Sequence, residues 1–274
     1  MSAVPHLVVA PDSRNSGAAL RIESVSKTFR LGRGEFVPAL DQVSISAAPG
    51  EFIAVVGPSG CGKSTLLRIA AGLEEPDSGK ALIGEQPPEA VTKEHRIGVA
   101  FQDHALLPWL SVAENIMLPA RLAGLSPDRA RMMELAKLVG LSDFTKARPK
   151  QLSGGMRQRV AIARAMMLEP ILLLFDEPFG ALDLVTRRSL NIEMQRIWSE
   201  LGTTTMLITH SVDEAVQLAD RVYVMASRPG RIFAEIPIHL DRPRDRRVTT
   251  TTAFLNLVQE VSVALDDASD QSAG

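Results

Sequence analysis

Apolar and polar positions change rhythm several times along the chain, and each rhythm predicts an element. Leu20-Arg21-Ile22-Glu23-Ser24-Val25 alternates, as a half-exposed strand does. Leu31 to Glu35 reads as a turn, and a second strand is expected over Ala39 to Ile45. Pro49-Gly50-Glu51 then punctuates entry to an unbroken apolar run, Phe52-Ile53-Ala54-Val55-Val56, which predicts a strand buried on both faces. Thr65 to Ala71 reads as a helix, with further strands at Ala81 to Ile83 and Ile97 to Phe101. From Leu110 to Val139 the period becomes helical: Val112, Ile116, Leu122, Met132, Leu135, Leu138 and Val139 recur with that spacing, and Pro108, Pro119 and Pro127 mark starts or breaks. Strand and helix alternate again through Ile171, Leu207, Val222 and Ile232. The pattern predicts an α/β core with an antiparallel β region near the N-terminus and a helical insertion at about 103–151. Residues 1–19 and 266–274 are expected to be loose tails around a domain spanning 20–265.

Composition narrows the classes. With 274 residues and 45% hydrophobic residues, the chain can bury a substantial core and is not a disordered polymer. No apolar stretch approaches the roughly 18–20 residues of a membrane helix. The apolar piece Leu7 to Ala10 is too short for a signal peptide. A net charge of −2 gives no basic field for nucleic acid, and no stacking aromatics lie among the arginines of Arg242-Pro243-Arg244-Asp245-Arg246-Arg247, which reads as a solvated face. Cys61 is the single cysteine, so a disulfide within the chain is impossible and a reducing compartment is expected.

The chemistry is concentrated in a few strings. Gly57-Pro58-Ser59-Gly60-Cys61-Gly62-Lys63-Ser64, followed by Thr65, fits the phosphate-binding pattern G-x-x-x-x-G-K-[ST], and it lies between a predicted strand and a predicted helix. Its glycines let several backbone N–H groups converge on one anion at a helix N-terminus. Lys63 is expected to reach the β- and γ-phosphates, and the Ser64 hydroxyl to ligate Mg²⁺. That helix terminus and Lys63 are also expected to favour the thiolate of Cys61. The apolar strand Ile171 to Phe175 ends in Asp176 and Glu177. Asp176 can hold Mg²⁺ and Glu177 can polarise an attacking water, although an acidic pair there serves equally as an exposed turn. Leu152-Ser153-Gly154-Gly155-Met156-Arg157-Gln158 places a good N-cap and two glycines at a helix start, a second anion-binding arrangement. Phe29 reads as strand core or as a stacking aromatic, and His210 as a structural or a functional histidine. His6, His95, His104 and His239 have no role and no metal-ligand spacing.

Taken in order, these strings resemble the ABC ATPases over about Leu20 to Leu240, with the signature Leu-Ser-Gly-Gly ending in Gln. The resemblance implies that Phe29 stacks on adenine and that Ser153, Gly154 and Gly155 meet the γ-phosphate of ATP bound to the other subunit of a homodimer. It further implies that Gln102 senses Mg²⁺ and couples to a membrane partner, that Asp183 in Ala181-Leu182-Asp183 crosses the dimer interface, and that His210 contacts the γ-phosphate. Phe179-Gly180 departs from the serine or threonine that many members carry there. Phe101 to Trp109 with Glu114-Asn115, Ser227 to Ile232, and the arginine cluster resemble the nitrate/sulfonate/taurine importer group. That group implies a peripheral ATPase on the cytoplasmic face of the membrane. It would work with ATP and Mg²⁺, two integral permease subunits and an extracytoplasmic solute-binding protein. An exporter or lipid-transport ATPase, or a soluble non-transport ABC protein, is the alternative.

Overall fold

The computed structural model describes residues 17–30, 32–126, 128–180 and 184–270. Its elements in chain order are β1 (Leu20–Arg30), β2 (Phe36–Ala47), β3 (Phe52–Val56), α1 (Lys63–Ala70), β4 (Ser78–Ile83), α2 (Pro88–Lys93) and β5 (Ile97–Ala100). Then follow α3 (Val112–Ile116), α4 (Leu118–Leu122), α5 (Arg129–Leu138), α6 (Gly154–Ala165), β6 (Leu172–Asp176), α7 (Leu184–Leu201) and β7 (Thr204–Ile208). The chain closes with α8 (Val212–Leu218), β8 (Arg221–Ala226), β9 (Arg231–Pro237) and α9 (Thr252–Asp270).

Two sheets carry the architecture. The antiparallel sheet runs β2-β1-β4, and β1 buries its alternate apolar residues Leu20, Ile22 and Val25. The second sheet runs β5-β6-β7-β3-β8-β9, parallel except for the antiparallel edge strand β9. Its central strands β3 and β7 are buried at every position, because layers cover both faces. One core, with Ile53, Val55, Leu66 and Ile69, lies on the α1 side. The other, with Ala54, Phe175, Val160 and Val222, joins the opposite face to α6, α8 and α9. Between β5 and β6 the chain is helical. A capping box at Ser111 and Glu114 starts α3, and Asp128 caps α5.

Parallel order decides where the chemistry sits. β5, β6, β7 and β3 are neighbours, so the segments leaving their carboxyl ends lie side by side, where ligands bind in open α/β sheets. Gln102 follows β5, Glu177 follows β6, His210 follows β7, and the glycine-rich loop follows β3.

Both ends of the chain differ from expectation. Helix α9 continues through Asp270, where a loose tail from 266 was expected. Phe254, Val258, Val261, Leu265 and Ala268 form one apolar stripe at helical spacing, and Ala268 is fully buried. The acidic residues at 266, 267 and 270 hide that stripe in a linear reading. At the other end, the Ala18 N–H donates to the Ile171 carbonyl (3.3 Å), so order begins ahead of residue 20.

The arginine cluster is a solvated face only in part: Arg246 and Arg247 are exposed, but Arg242 and Arg244 are not. Arg244 is 1% exposed, and its guanidinium donates to the carbonyls of Val216, Ala219, Ile238 and Leu240. Burial lowers its pKa to about 10, which leaves it charged at neutral pH. Arg242 stacks 4.1 Å over the Trp198 ring and pairs with Asp220 at 2.7 Å. Arg242 and Arg244 therefore tie the segment after β9 to α7 and to α8 and the turn after it.

Candidate active site

The loop after β3 is shaped by two glycines. Gly62, with φ 96°, is the N-cap of α1, and a Cβ there would lie 2.6 Å from the Ala39 carbonyl. A Cβ on Gly57 would meet the Met225 carbonyl at 2.7 Å. The loop wraps around Lys63, which is 6% exposed and donates from Nζ to the carbonyls of Gly57 (2.8 Å) and Pro58 (2.9 Å). An ammonium held there stands at the N-terminus of α1, where backbone N–H groups also favour an anion.

Ser64 and Asp176 come together across the sheet, with Ser64 Oγ donating to Asp176 Oδ1 at 3.3 Å. Burial raises the Asp176 pKa, the Ser64 hydroxyl opposes that shift, and the adjacent Glu177 charge reinforces it. The Ser64 hydroxyl and the Asp176 carboxylate are hard oxygen donors side by side, a pair that fits a Mg²⁺ site.

Glu177 has φ 46° and donates its N–H to the Ile208 carbonyl (2.9 Å), which turns its side chain back over the end of the sheet. Its Oε2 accepts from Gln102 Nε2 at 3.3 Å and lies 3.4 Å from His210 Nδ1. Gln102 and His210, far apart in sequence, thus converge on one carboxylate oxygen of Glu177. Glu177 is a half-buried carboxylate held by two side chains, an arrangement that can orient a water molecule.

Comparison with known proteins fits this geometry. The ABC transporter family model matches residues 40–180. The nitrate import ATP-binding protein NrtD of Synechococcus elongatus is 44% identical over 232 residues, covering 83% of this chain and 84% of that protein. The aliphatic sulfonates import ATP-binding protein SsuB of Bacillus subtilis is 41% identical over 252 residues, covering 92% of this chain and 96% of that protein. The chain belongs to the ABC transporter ATPase family. It binds and hydrolyses ATP. Among solved structures, a dimeric ATP-binding cassette in a post-hydrolysis state with ADP and Pi matches with a TM-score of 0.72 and 32% identity, covering 81% of this chain and all of that one.

The remaining expected residues of this ABC ATPase are placed as follows. Phe29 is half-buried near the end of β1, with Lys27 Nζ 5.5 Å from its ring centroid. Lys27 is itself fixed by Glu74 at 2.6 Å and Asp77 at 3.5 Å. Ser153 caps α6, its hydroxyl accepting from the Met156 N–H at 3.3 Å, with Gly154 and Gly155 opening the helix. Asp183 lies outside the described residues. Cys61 corrects an expectation: it is 1% exposed, and burial raises its pKa although Lys63 opposes the shift. Its Sγ lies 3.7 Å from Lys63 Nζ, so the thiol packs inside the loop and is not a reactive thiolate.

Sequence reading missed three residues. His104 is not idle: its Nε2 lies 3.2 Å from the Gly154 carbonyl. Arg164 of the same helix donates to the carbonyls of His104 and Ala105, both at 2.7 Å, so the segment after Gln102 is clasped to the helix that starts with Ser153-Gly154-Gly155. For His104 the signal was only its nearness in sequence to Gln102, and Arg164 had none. Glu214, on α8, is 3% exposed and accepts the hydroxyl of Thr209, the neighbour of His210.

Burial raises the Glu214 pKa from 4.5 to about 7. Between those values the folded chain holds a proton that the unfolded chain releases, so stability falls as pH rises. A shift of that size corresponds to roughly 3 kcal/mol of order-of-magnitude cost, complete above pH 7 and absent below the unfolded value. Glu214→Gln is expected to raise the melting temperature at pH 8 relative to wild type and to leave it unchanged at pH 4.5. Equal melting temperatures of the two proteins at pH 8 would contradict a raised Glu214 pKa.

Proposed function

We propose that this ATPase is the energy-coupling subunit of an import complex for a small anionic or polar solute. The observation that carries the reading is the convergence of Gln102 and His210 on Glu177 beside the Ser64–Asp176 pair. The similarity to nitrate and sulfonate import subunits supports the direction of transport.

In this reading the ATPase domain begins just ahead of residue 20 and includes α9 to Asp270, with a helical subdomain at about 103–151. Residues 57–65 enclose the phosphates of ATP, Lys63 stands against the β- and γ-phosphates, and Phe29 stacks on adenine. Ser64, Asp176 and Gln102 would hold Mg²⁺, which when bound neutralises phosphate charge. Glu177 accepts a proton from the attacking water, and His210 donates a hydrogen bond to the γ-phosphate as charge builds on it. Two chains pair head to tail, so that Ser153, Gly154 and Gly155 of one complete the site of the other and Asp183 crosses the interface. The dimeric cassette with ADP and Pi supports that arrangement. ATP binding favours the closed dimer and product release reopens it, a shift between two populations. Two integral permease subunits carry the motion across the membrane, an external solute-binding protein delivers the cargo, and the ATPase sits peripherally on the cytoplasmic side.

Permease contact falls to the helical region. Trp109 is 65% exposed and Leu122 is 79% exposed, large apolar surfaces that a partner would cover. Trp109→Glu is expected to leave ATP binding and the melting temperature unchanged while abolishing copurification with the membrane permease subunits. Retention of the complex would remove this surface from the interface. Loss of solute uptake in a strain carrying Glu177→Gln tests import itself, and export of the solute by the intact complex would overturn it.

A further inference from the structure

His210 is the centre of a turn whose two flanks are both held by one buried residue of α8. The Thr209 hydroxyl, on one side, bonds Glu214 Oε2, and on the other side Ser211 Oγ accepts the Glu214 N–H at 3.4 Å. The Ser211 N–H donates to Thr209 Oγ at 3.0 Å, which closes the turn around His210. Thr209 and Glu214 are both almost fully buried, so water does not stand in for these bonds.

Glu214 also shares a guanidinium with the turn that carries Glu177. Arg187 Nη2 donates to the Gly180 carbonyl at 3.4 Å, and the Gly180 N–H donates to the Glu177 carbonyl at 3.2 Å. The Arg187 charge acts on Glu214 as well. The other charged groups around Glu214 are Arg188 of α7, Arg246 of the segment before α9, Asp213 of its own helix, and Glu177 and His210 across the turn. Arg188, Arg246 and Asp213 are exposed, where solvent screens them. Strand β3, packed against α8, is apolar throughout, and α9 contributes Phe254. Burial outweighs both Arg187 and the Thr209 bond, so Glu214 keeps its proton up to about pH 7.

We propose that Glu214 is a positioning residue for hydrolysis whose neutral form holds both catalytic side chains in place: it fixes the His210 turn through Thr209 and leaves Arg187 on the Gly180 carbonyl beside Glu177. The inference rests on the roles given above to Glu177 and His210. Glu214 Oε1 is buried with no hydrogen-bond partner, a state that a neutral acid tolerates and a carboxylate does not. A charge-assisted bond from a guanidinium to a carboxylate is stronger than a 3.4 Å bond to a neutral carbonyl. Loss of the proton therefore draws Arg187 from Gly180 toward Glu214 and slackens the Glu177 turn. Neither change touches the phosphate loop, so the effect falls on kcat and not on ATP affinity.

Steady-state hydrolysis by the full-length protein at saturating Mg-ATP, from pH 6 to 8.5, tests this through the ratio of Glu214→Gln to wild type. The amide keeps the size and the neutrality of the acid, and the ratio divides out titration of His210, Glu177 and the nucleotide, which both proteins share. At pH 6 the ratio is expected to lie within about twofold of one, because both side chains are neutral there. At pH 8.5 an acid with a pKa of about 7 is only about 3% protonated, and the ratio should reach about fivefold or more, with the KM for ATP unchanged. Thr209→Val keeps the shape of the side chain but cuts the link, and is expected to lower kcat at pH 6 by about fivefold or more at unchanged KM, the order of effect of a misplaced catalytic group. Thr209→Ser, which keeps the hydroxyl, should restore it. A ratio that does not rise with pH, a Glu214→Gln chain that fails to fold, or a wild-type kcat in Thr209→Val would overturn the positioning role. A flat ratio beside an inactive Glu177→Gln fails this inference alone, whereas a Glu177→Gln chain that hydrolyses ATP normally removes the reading on which it rests.

Discussion

Glu177→Gln is expected to cut steady-state ATP hydrolysis by about 10²–10⁴-fold, the range for loss of a positioned general base. Glutamine preserves the size of the side chain and can still accept from Gln102 Nε2, which lies 3.3 Å from Glu177 Oε2 in the wild-type chain. It removes the charge that polarises water and the acceptor for its proton. The phosphate loop and Lys63 are untouched, so equilibrium binding of ATP should stay within a few-fold of wild type. The variant should therefore accumulate ATP-bound protein in a filter-binding or fluorescence assay while phosphate release nearly ceases. Hydrolysis within a few-fold of wild type would assign the base to another residue.

The second large effect is on binding. Lys63→Ala removes the cation buried inside the loop, whose Nζ now rests on the carbonyls of Gly57 and Pro58 at 2.8 and 2.9 Å. Charge-assisted bonds to phosphate lost at such a position correspond to about 10²-fold or more in affinity, roughly 3 kcal/mol. ATP affinity, read by calorimetry, should fall by that factor. Because those carbonyls lose a donor, circular dichroism must show the variant folded. A folded variant with unchanged ATP affinity would remove Lys63 from the phosphate site.

Much of this was legible in the residues themselves. Phe52 to Val56 reads as a buried strand because it lies between two layers, and β3 spans those residues. The antiparallel region was visible because β1 alternates toward one core. Local signals failed where tertiary structure decides. Helix α9 was hidden by acidic residues on its outer face, although its inner stripe packs against the core. Arg244 was read as solvated because a guanidinium is normally exposed, and only a cage of carbonyls from α8 and the following segments makes its burial tolerable. The Cys61 expectation considered nearby positive charge and missed burial, which dominates. At the site, the strand ending in two carboxylates pointed to Glu177 and the family resemblance to Gln102 and His210, but their meeting at one oxygen depends on the strand order β5-β6-β7. The clasp of His104 and Arg164 is invisible in sequence, since it joins a loop to a helix some sixty residues further along.

The central claim is that a complete ATP site takes its phosphate loop from one chain and Ser153 from another. Ser153 caps α6 in the helical region, while Lys63 belongs to the loop after β3. Mixing Lys63→Ala chains with Ser153→Arg chains creates dimers in which one site has both halves intact, whereas each variant alone has two damaged sites. Nucleotide trapped per dimer, measured on the mixture and on each variant separately, tests the claim most directly. The account predicts trapped nucleotide in the mixture well above either variant alone. A mixture that traps no more than its two components measured separately would contradict assembly of the site from two chains.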